Sequence, residues 1–177
     1  MEKLEGQQCM MCLEPALILE EIEQDIPYFG QVAIFSMHCD ACEFKKSDVE
    51  ALEQKEPARF TLEISAVEDL NIRIVKSSEA TINWKDLKIK IEPGVNAEGF
   101  VSNVERLLND VMQTLEDNKE MEEDNSKRKK YRNLIDEVLD VKEGRKKTTL
   151  IIEDLTGNSA IISEKAVKEV LKGKRKN

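Results

Sequence analysis

Four cysteines stand in two pairs, Cys9-Met-Met-Cys12 and Cys39-Asp-Ala-Cys42, with 26 residues between the inner two. Two residues between thiolates let one tight turn present both sulfurs to one ion, and two such turns complete a tetrahedron. The spacing therefore predicts one Zn2+ ion held by Cys9, Cys12, Cys39 and Cys42. Four thiolates leave no position for water or substrate, so the ion is expected to be structural. A redox C-x-x-C pair belongs in a thioredoxin-like strand–helix setting that neither pair has. Structural disulfides belong to secreted chains, whereas MEKLEGQQC has neither the basic start nor the apolar run of a secretory signal. The chain reads as cytoplasmic. His38, beside the second pair, is surplus to a four-sulfur site and reads as an ordinary strand histidine.

The intervening 26 residues suit a hairpin. Apolar residues at Ala16 and Ile18, then at Val32 and Ile34, predict two strands joined through Ile-Pro-Tyr-Phe-Gly. A zinc ribbon over residues 1–50 follows.

Charge bounds the partner. The net formal charge is −9, and residues 1–50 alone contribute eleven acidic and three basic residues. Four zinc-bound thiolates would add about two more negative charges. Such a segment repels a phosphate backbone and favours a protein partner with a basic patch. The basic runs SKRKKYR at 126–132 and KGKRK at 172–176 keep a second reading open, a nucleic-acid-binding zinc ribbon of transcription or translation. A third, metal handling, requires labile zinc.

Residues 51–177 alternate between two periods. Phe60, Leu62 and Ile64, then Ile72 and Ile74, then Leu87, Ile89 and Ile91 alternate as half-buried antiparallel strands. TTLIIEDLTGNSAII adds two strands about the turn Thr156-Gly157-Asn158, and SEKAVKEVLKG reads as a capped final helix ending at Gly173. Between these groups the apolar residues Val101, Val104, Leu108, Val111 and Leu115 form one helical stripe, and Tyr131, Leu134, Ile135, Val138 and Val141 another. They predict a helical hairpin over about 99–143 with EDNKEMEEDNSK at its tip. A single histidine, no G-x-S-x-G and no Gly-rich phosphate loop leave no catalytic constellation, so no enzyme is expected.

The order of these features resembles the ZPR-type zinc-finger protein family (zinc-finger protein ZPR-one), in the single-module form expected of archaea. The resemblance rests on CMMC and HCDACEFKKSDVE, then on EDLNIRIVKSSEATI at 68–82, EGFVSNVERLL at 98–108 and IIEDLTGNS at 151–159. Met10 and Leu13 stand where the family usually has proline and glycine. The resemblance implies a mainly β fold with a helical insertion (α+β): a zinc ribbon joined to a double-stranded β-helix, jelly-roll-like, that carries the hairpin. It further implies a chaperone or adaptor that binds translation elongation factor one alpha. The motif positions Lys76, Ser77, Glu105, Asp154, Asn158 and Ser159 become candidate partner-binding residues.

Overall fold

The computed structural model describes residues 2–27 and 29–171. The first sheet is antiparallel, with four strands in sequence order: β1 (Glu2–Gln7), β2 (Leu17–Ile26), β3 (Gly30–Cys39) and β4 (Lys45–Ala51). The two strands expected between the cysteine pairs are β2 and β3, which pair along their whole length from Leu17 opposite Cys39 to Ile26 opposite Gly30. The sequence concealed β1, because every one of its side chains is exposed and no alternation marks it. It also concealed β4, whose polar residues show no clear alternation.

Two further sheets enclose the main core. One contains β5 (Ala58–Ile64), β7 (Thr81–Trp84), β8 (Ile89–Ile91), β10 (Thr148–Asp154) and β12 (Val167–Val170), in the order β12-β5-β10-β7-β8. The other contains β6 (Arg73–Lys76), β9 (Phe100–Asn103) and β11 (Ala160–Ile162), in the order β11-β6-β9. All pairs are antiparallel. Alternation is clean in β5 and β10, where Phe60, Leu62, Ile64, Leu150 and Ile152 point inward with Trp84. The turn at Thr156-Gly157-Asn158 does not close a hairpin; it carries the chain from the five-stranded sheet into the three-stranded one.

The helical hairpin leaves directly from β9. Helix α1 (Val104–Met121) starts at the N-cap Asn103, whose side chain accepts the Arg106 amide at 3.0 Å, and α2 (Asn125–Lys142) starts at Asp124, which accepts the amides of Ser126 and Lys127. Short polar side chains at these positions satisfy amides that lack intrahelical partners. Val104, Leu107, Leu108, Val111 and Leu115 of α1 and Ile135, Val138 and Val141 of α2 are buried in the same core as the sheets. Val101, expected on the helical stripe, belongs to β9 instead. The tip shrinks to Glu122, Glu123 and Asp124, since most of EDNKEMEEDNSK is helical.

The expected final helix is also overturned. SEKAVKEVLKG is not a helix: Val167–Val170 is strand β12, opposite Thr61 to Ala58 of β5, and the Leu171 amide donates to the Pro57 carbonyl at 2.8 Å. Without it, the outer edge of β5 would present a row of unpaired amides and carbonyls, and pairing them outweighs a weak helical pattern. Gly173 and the basic run 172–176 lie outside the described residues. No helix of the described residues is long and apolar enough to cross a membrane.

The ribbon sheet is fastened to the other two. Ile26, Val32 and Val49 from the ribbon bury against Val75 of β6, with Val101 and Ile162 alongside. Ile74, the preceding residue, faces the main core. Strand β6 is thus buried on both faces, which explains why Ile74 and Val75 are both apolar. Around this cluster the Gly99 amide donates to the Ser47 carbonyl, and the Ser78 amide and hydroxyl donate to Asp48.

Candidate metal centre

Each cysteine pair sits on a turn between strands, and the two turns are built alike. In the first, the Leu13 amide donates to the Cys9 carbonyl and the Cys9 amide to the Glu14 carbonyl, both at 2.9 Å; in the second, Glu43 and Cys39 donate to Cys39 and Phe44 in the same pattern and at the same length. Closing such a turn requires a left-handed residue just after the second cysteine. Leu13 has φ 65° and Glu43 φ 58°. Glycine takes that conformation freely; a side chain there costs about 1–2 kcal/mol.

The hairpin of β2 and β3 sets the two turns side by side. All four sulfurs lie within 4.8 Å of one another, with Cys9 and Cys42 Sγ at 3.8 Å and Cys12 and Cys39 Sγ at 3.7 Å. A tetrahedron with zinc–sulfur arms of about 2.3 Å has edges of about 3.8 Å, so the spacing fits one zinc ion. Disulfides need sulfurs about 2 Å apart, and all four cysteines are free. The interior side of the site is apolar: Cys9 and Cys39 are fully buried among Leu17, Leu19, Met37 and Phe44, while Cys42 is exposed.

The thiols are not equivalent. Backbone amides of Cys12 and Met11 directed at Cys9 favour its thiolate and bring its pKa to about 7. Cys42 gains from the Phe44 amide, but partial desolvation and hydrogen bonding with the other three sulfurs push it up to about 12. Four sulfurs this close cannot all ionise without a cation among them, and zinc supplies that charge as the protons leave. His38 stays outside the cluster, its Nε2 3.0 Å from Asp40 Oδ1.

The candidate partner-binding positions lie elsewhere, and most are internal. Lys76, Ser77, Asp154 and Ser159 are buried. Asp154 Oδ2 accepts the Ser77 hydroxyl at 2.7 Å and the Ser159 hydroxyl at 2.5 Å, while its Oδ1 accepts the Thr156 amide and hydroxyl at 2.7 and 2.6 Å. The Ser77 amide donates to Ser159 Oγ at 2.9 Å. Burial pushes the Asp154 carboxyl upward, yet these donors hold it below its ordinary range. Lys76 Nζ donates to the carbonyls of Ser77 and Glu98, and burial lowers its pKa against the pull of Asp48 and Asp154. Asn158 Oδ1 accepts the Ala51 amide at 3.1 Å, tying the loop to the ribbon. Of the six, Glu105 alone is fully exposed, in the first turn of α1. The network joins β6, β10 and β11 at the joint with the ribbon, whereas the cysteines lie at the far end of β3. From Val32 to Cys39 the strand spans about 23 Å.

Two family models match the chain. Residues 2–57 match the ZPR1 zinc-finger domain and residues 68–175 the ZPR1 jelly-roll domain. A ZPR1-like protein of Methanocaldococcus jannaschii is 40% identical over 172 residues, covering 97% of this chain and 87% of that protein. A ZPR1-like protein of Pyrococcus horikoshii is 43% identical over 143 residues, 79% of this chain and 64% of that one. The zinc finger chaperone zpr1 of Schizosaccharomyces pombe is 31% identical over 140 residues, of which this chain spans 30% of the length.

Proposed function

The chain belongs to the ZPR1 zinc-finger family, and from that premise we propose that it is a non-enzymatic adaptor or folding factor that binds translation elongation factor one alpha in the cytoplasm. The observation that carries the reading is the four-cysteine cluster on an acidic ribbon sheet. We take Cys9, Cys12, Cys39 and Cys42 as the ligands of one zinc ion. Bound there, zinc would stand in for covalent cross-links: it would hold two turns that bury little apolar surface of their own. With four sulfurs bound the ion has no open position for a reacting group, so its contribution is shape and charge. The name of the fission yeast relative, a zinc finger chaperone, supports a folding role.

Charge supports the class of partner. The excess of carboxylates in residues 1–50 steers a protein with a basic surface toward the ribbon and weakens any encounter with nucleic acid. Lys76, Ser77, Asp154 and Ser159 would then act indirectly, by fixing the ribbon relative to the stacked sheets. Asn158 fastens the joint, and Glu105 offers an exposed carboxylate to the partner.

The test is binding between the zinc-loaded chain and purified elongation factor one alpha, measured without nucleotide, with GDP and with GTP. Saturable binding in at least one state, weakened by salt, is the expected result. No binding in any state would remove the proposal, and salt-sensitive binding to RNA in its place would favour the nucleic-acid reading.

A further inference from the structure

We propose that the cleft between the free edges of the two stacked sheets is a binding site for a small amphipathic carboxylate, with an apolar body and one anionic end. A cavity of about 440 Å³ opens there, walled by β5 and β12 on one side and β11 on the other, with the turn before β3 and the segment after β4 closing its end. This is the size range of sites that take small organic ligands. Phe29, Ala58, Phe60, Ile162 and Ala166 give it an apolar floor.

Two cations sit against that floor. Lys55 Nζ lies 4.7 Å from the centroid of the Phe29 ring, and Lys168 Nζ lies 5.8 Å from that of Phe60. Neither is ion-paired among the described residues, although acidic residues outnumber basic ones 36 to 27 in this chain. Glu56 and Glu164 also line the cleft, and both are exposed. The two ammonium groups, by contrast, are set over the aromatic rings of the floor. An ammonium on an aromatic face keeps its outward N–H donors free, and a carboxylate beside either one would receive charge-assisted hydrogen bonds while its apolar end covers the rings. Neutral apolar ligands would gain only the second contact.

The cleft's remaining wall comes from the motif Asp154–Ser159. Gly157 has φ 80°, and a Cβ there would lie 2.6 Å from the Lys55 carbonyl oxygen. The close approach packs the Lys55 segment against the loop, and the buried Ser159 lines the cavity beside it. The Asp154 network thus sets the position of one of the two cations.

Octanoate titrated into the zinc-loaded full chain tests the site by calorimetry and by mapping of amide chemical shifts. Saturable one-to-one binding is expected, of millimolar to high-micromolar strength, with shifts centred on Phe29, Phe60 and Ala166. The pair Lys55→Met and Lys168→Met keeps the apolar stems at two surface positions and should weaken octanoate about fivefold to tenfold while leaving octan-1-ol unchanged. Absence of saturable binding, shifts centred on another region, or equal octanoate affinity in the lysine variant at an unchanged melting temperature would each overturn the proposal.

Discussion

Leu13 shows how one residue's backbone records a constraint that its side chain hides. The turn around Cys9 and Cys12 needs a left-handed residue at this position, and Leu13 adopts φ 65° while 67% exposed, so little burial offsets the strain. Leu13→Gly is expected to stabilise the zinc-bound ribbon by about 0.5–1 kcal/mol, the relief of strain less the added freedom of glycine in the unfolded chain. A higher chelator concentration for half-release of zinc would confirm it, and a lower one would contradict it. The resemblance already marked position 13 as a glycine site, but what leucine costs there required the dihedral angle. Asp154 carries the second residue-scale prediction. Its carboxylate accepts four hydrogen bonds and its folded pKa lies below the ordinary value, so its contribution is complete above the unfolded pKa of about 3.9 and is lost as pH falls through the folded pKa. Asp154→Asn should cost about 2 kcal/mol in denaturant unfolding at neutral pH, with the difference from wild type shrinking in acid. A difference independent of pH would mean that the charge contributes nothing.

Elements were legible wherever burial on one face imposed a period. The alternation of Phe60, Leu62 and Ile64 and the stripe of Val104, Leu108, Val111 and Leu115 could be read directly, because each faces one continuous core. Strand β1, exposed throughout, left no such trace. Strand β12 left a misleading one: Val167 and Val170 have helical spacing, yet both are exposed, and the segment is held by backbone pairing to β5. Hydrogen bonding to a distant edge has no signature in local hydropathy. The loop between β10 and β11 is sensitive to a single methyl group. Gly157→Ala introduces a Cβ 2.6 Å from the Lys55 carbonyl oxygen at a positive φ. It should destabilise the fold by about 2–4 kcal/mol, read as a lower denaturant midpoint. A change under about 0.5 kcal/mol, the range of ordinary surface substitutions, would show that the loop is free to move away.

At the scale of the molecule, the zinc site and the main core are held by different forces. The cysteine end of the ribbon buries only Cys9, Leu17 and Cys39 fully, whereas the stacked sheets and hairpin share a large apolar core centred on the fully buried Trp84. Chelation is therefore expected to raise hydrogen exchange in residues 9–19 and 37–44 while the emission of Trp84, the single tryptophan, keeps its position. A red shift of Trp84 coincident with zinc release would show instead that the two parts unfold as one. The chain's own order of residues determined the four-sulfur site, the mainly β class and the hairpin, because ligand spacing and hydrophobic period are local quantities. Tertiary structure alone decided that Asp154, Ser77 and Ser159 form one buried network, that the segment after Ser163 completes a sheet, and that two lysines meet at one apolar cleft. Each of those depends on residues tens of positions apart being brought together, and only the closed core fixes which distant groups become neighbours.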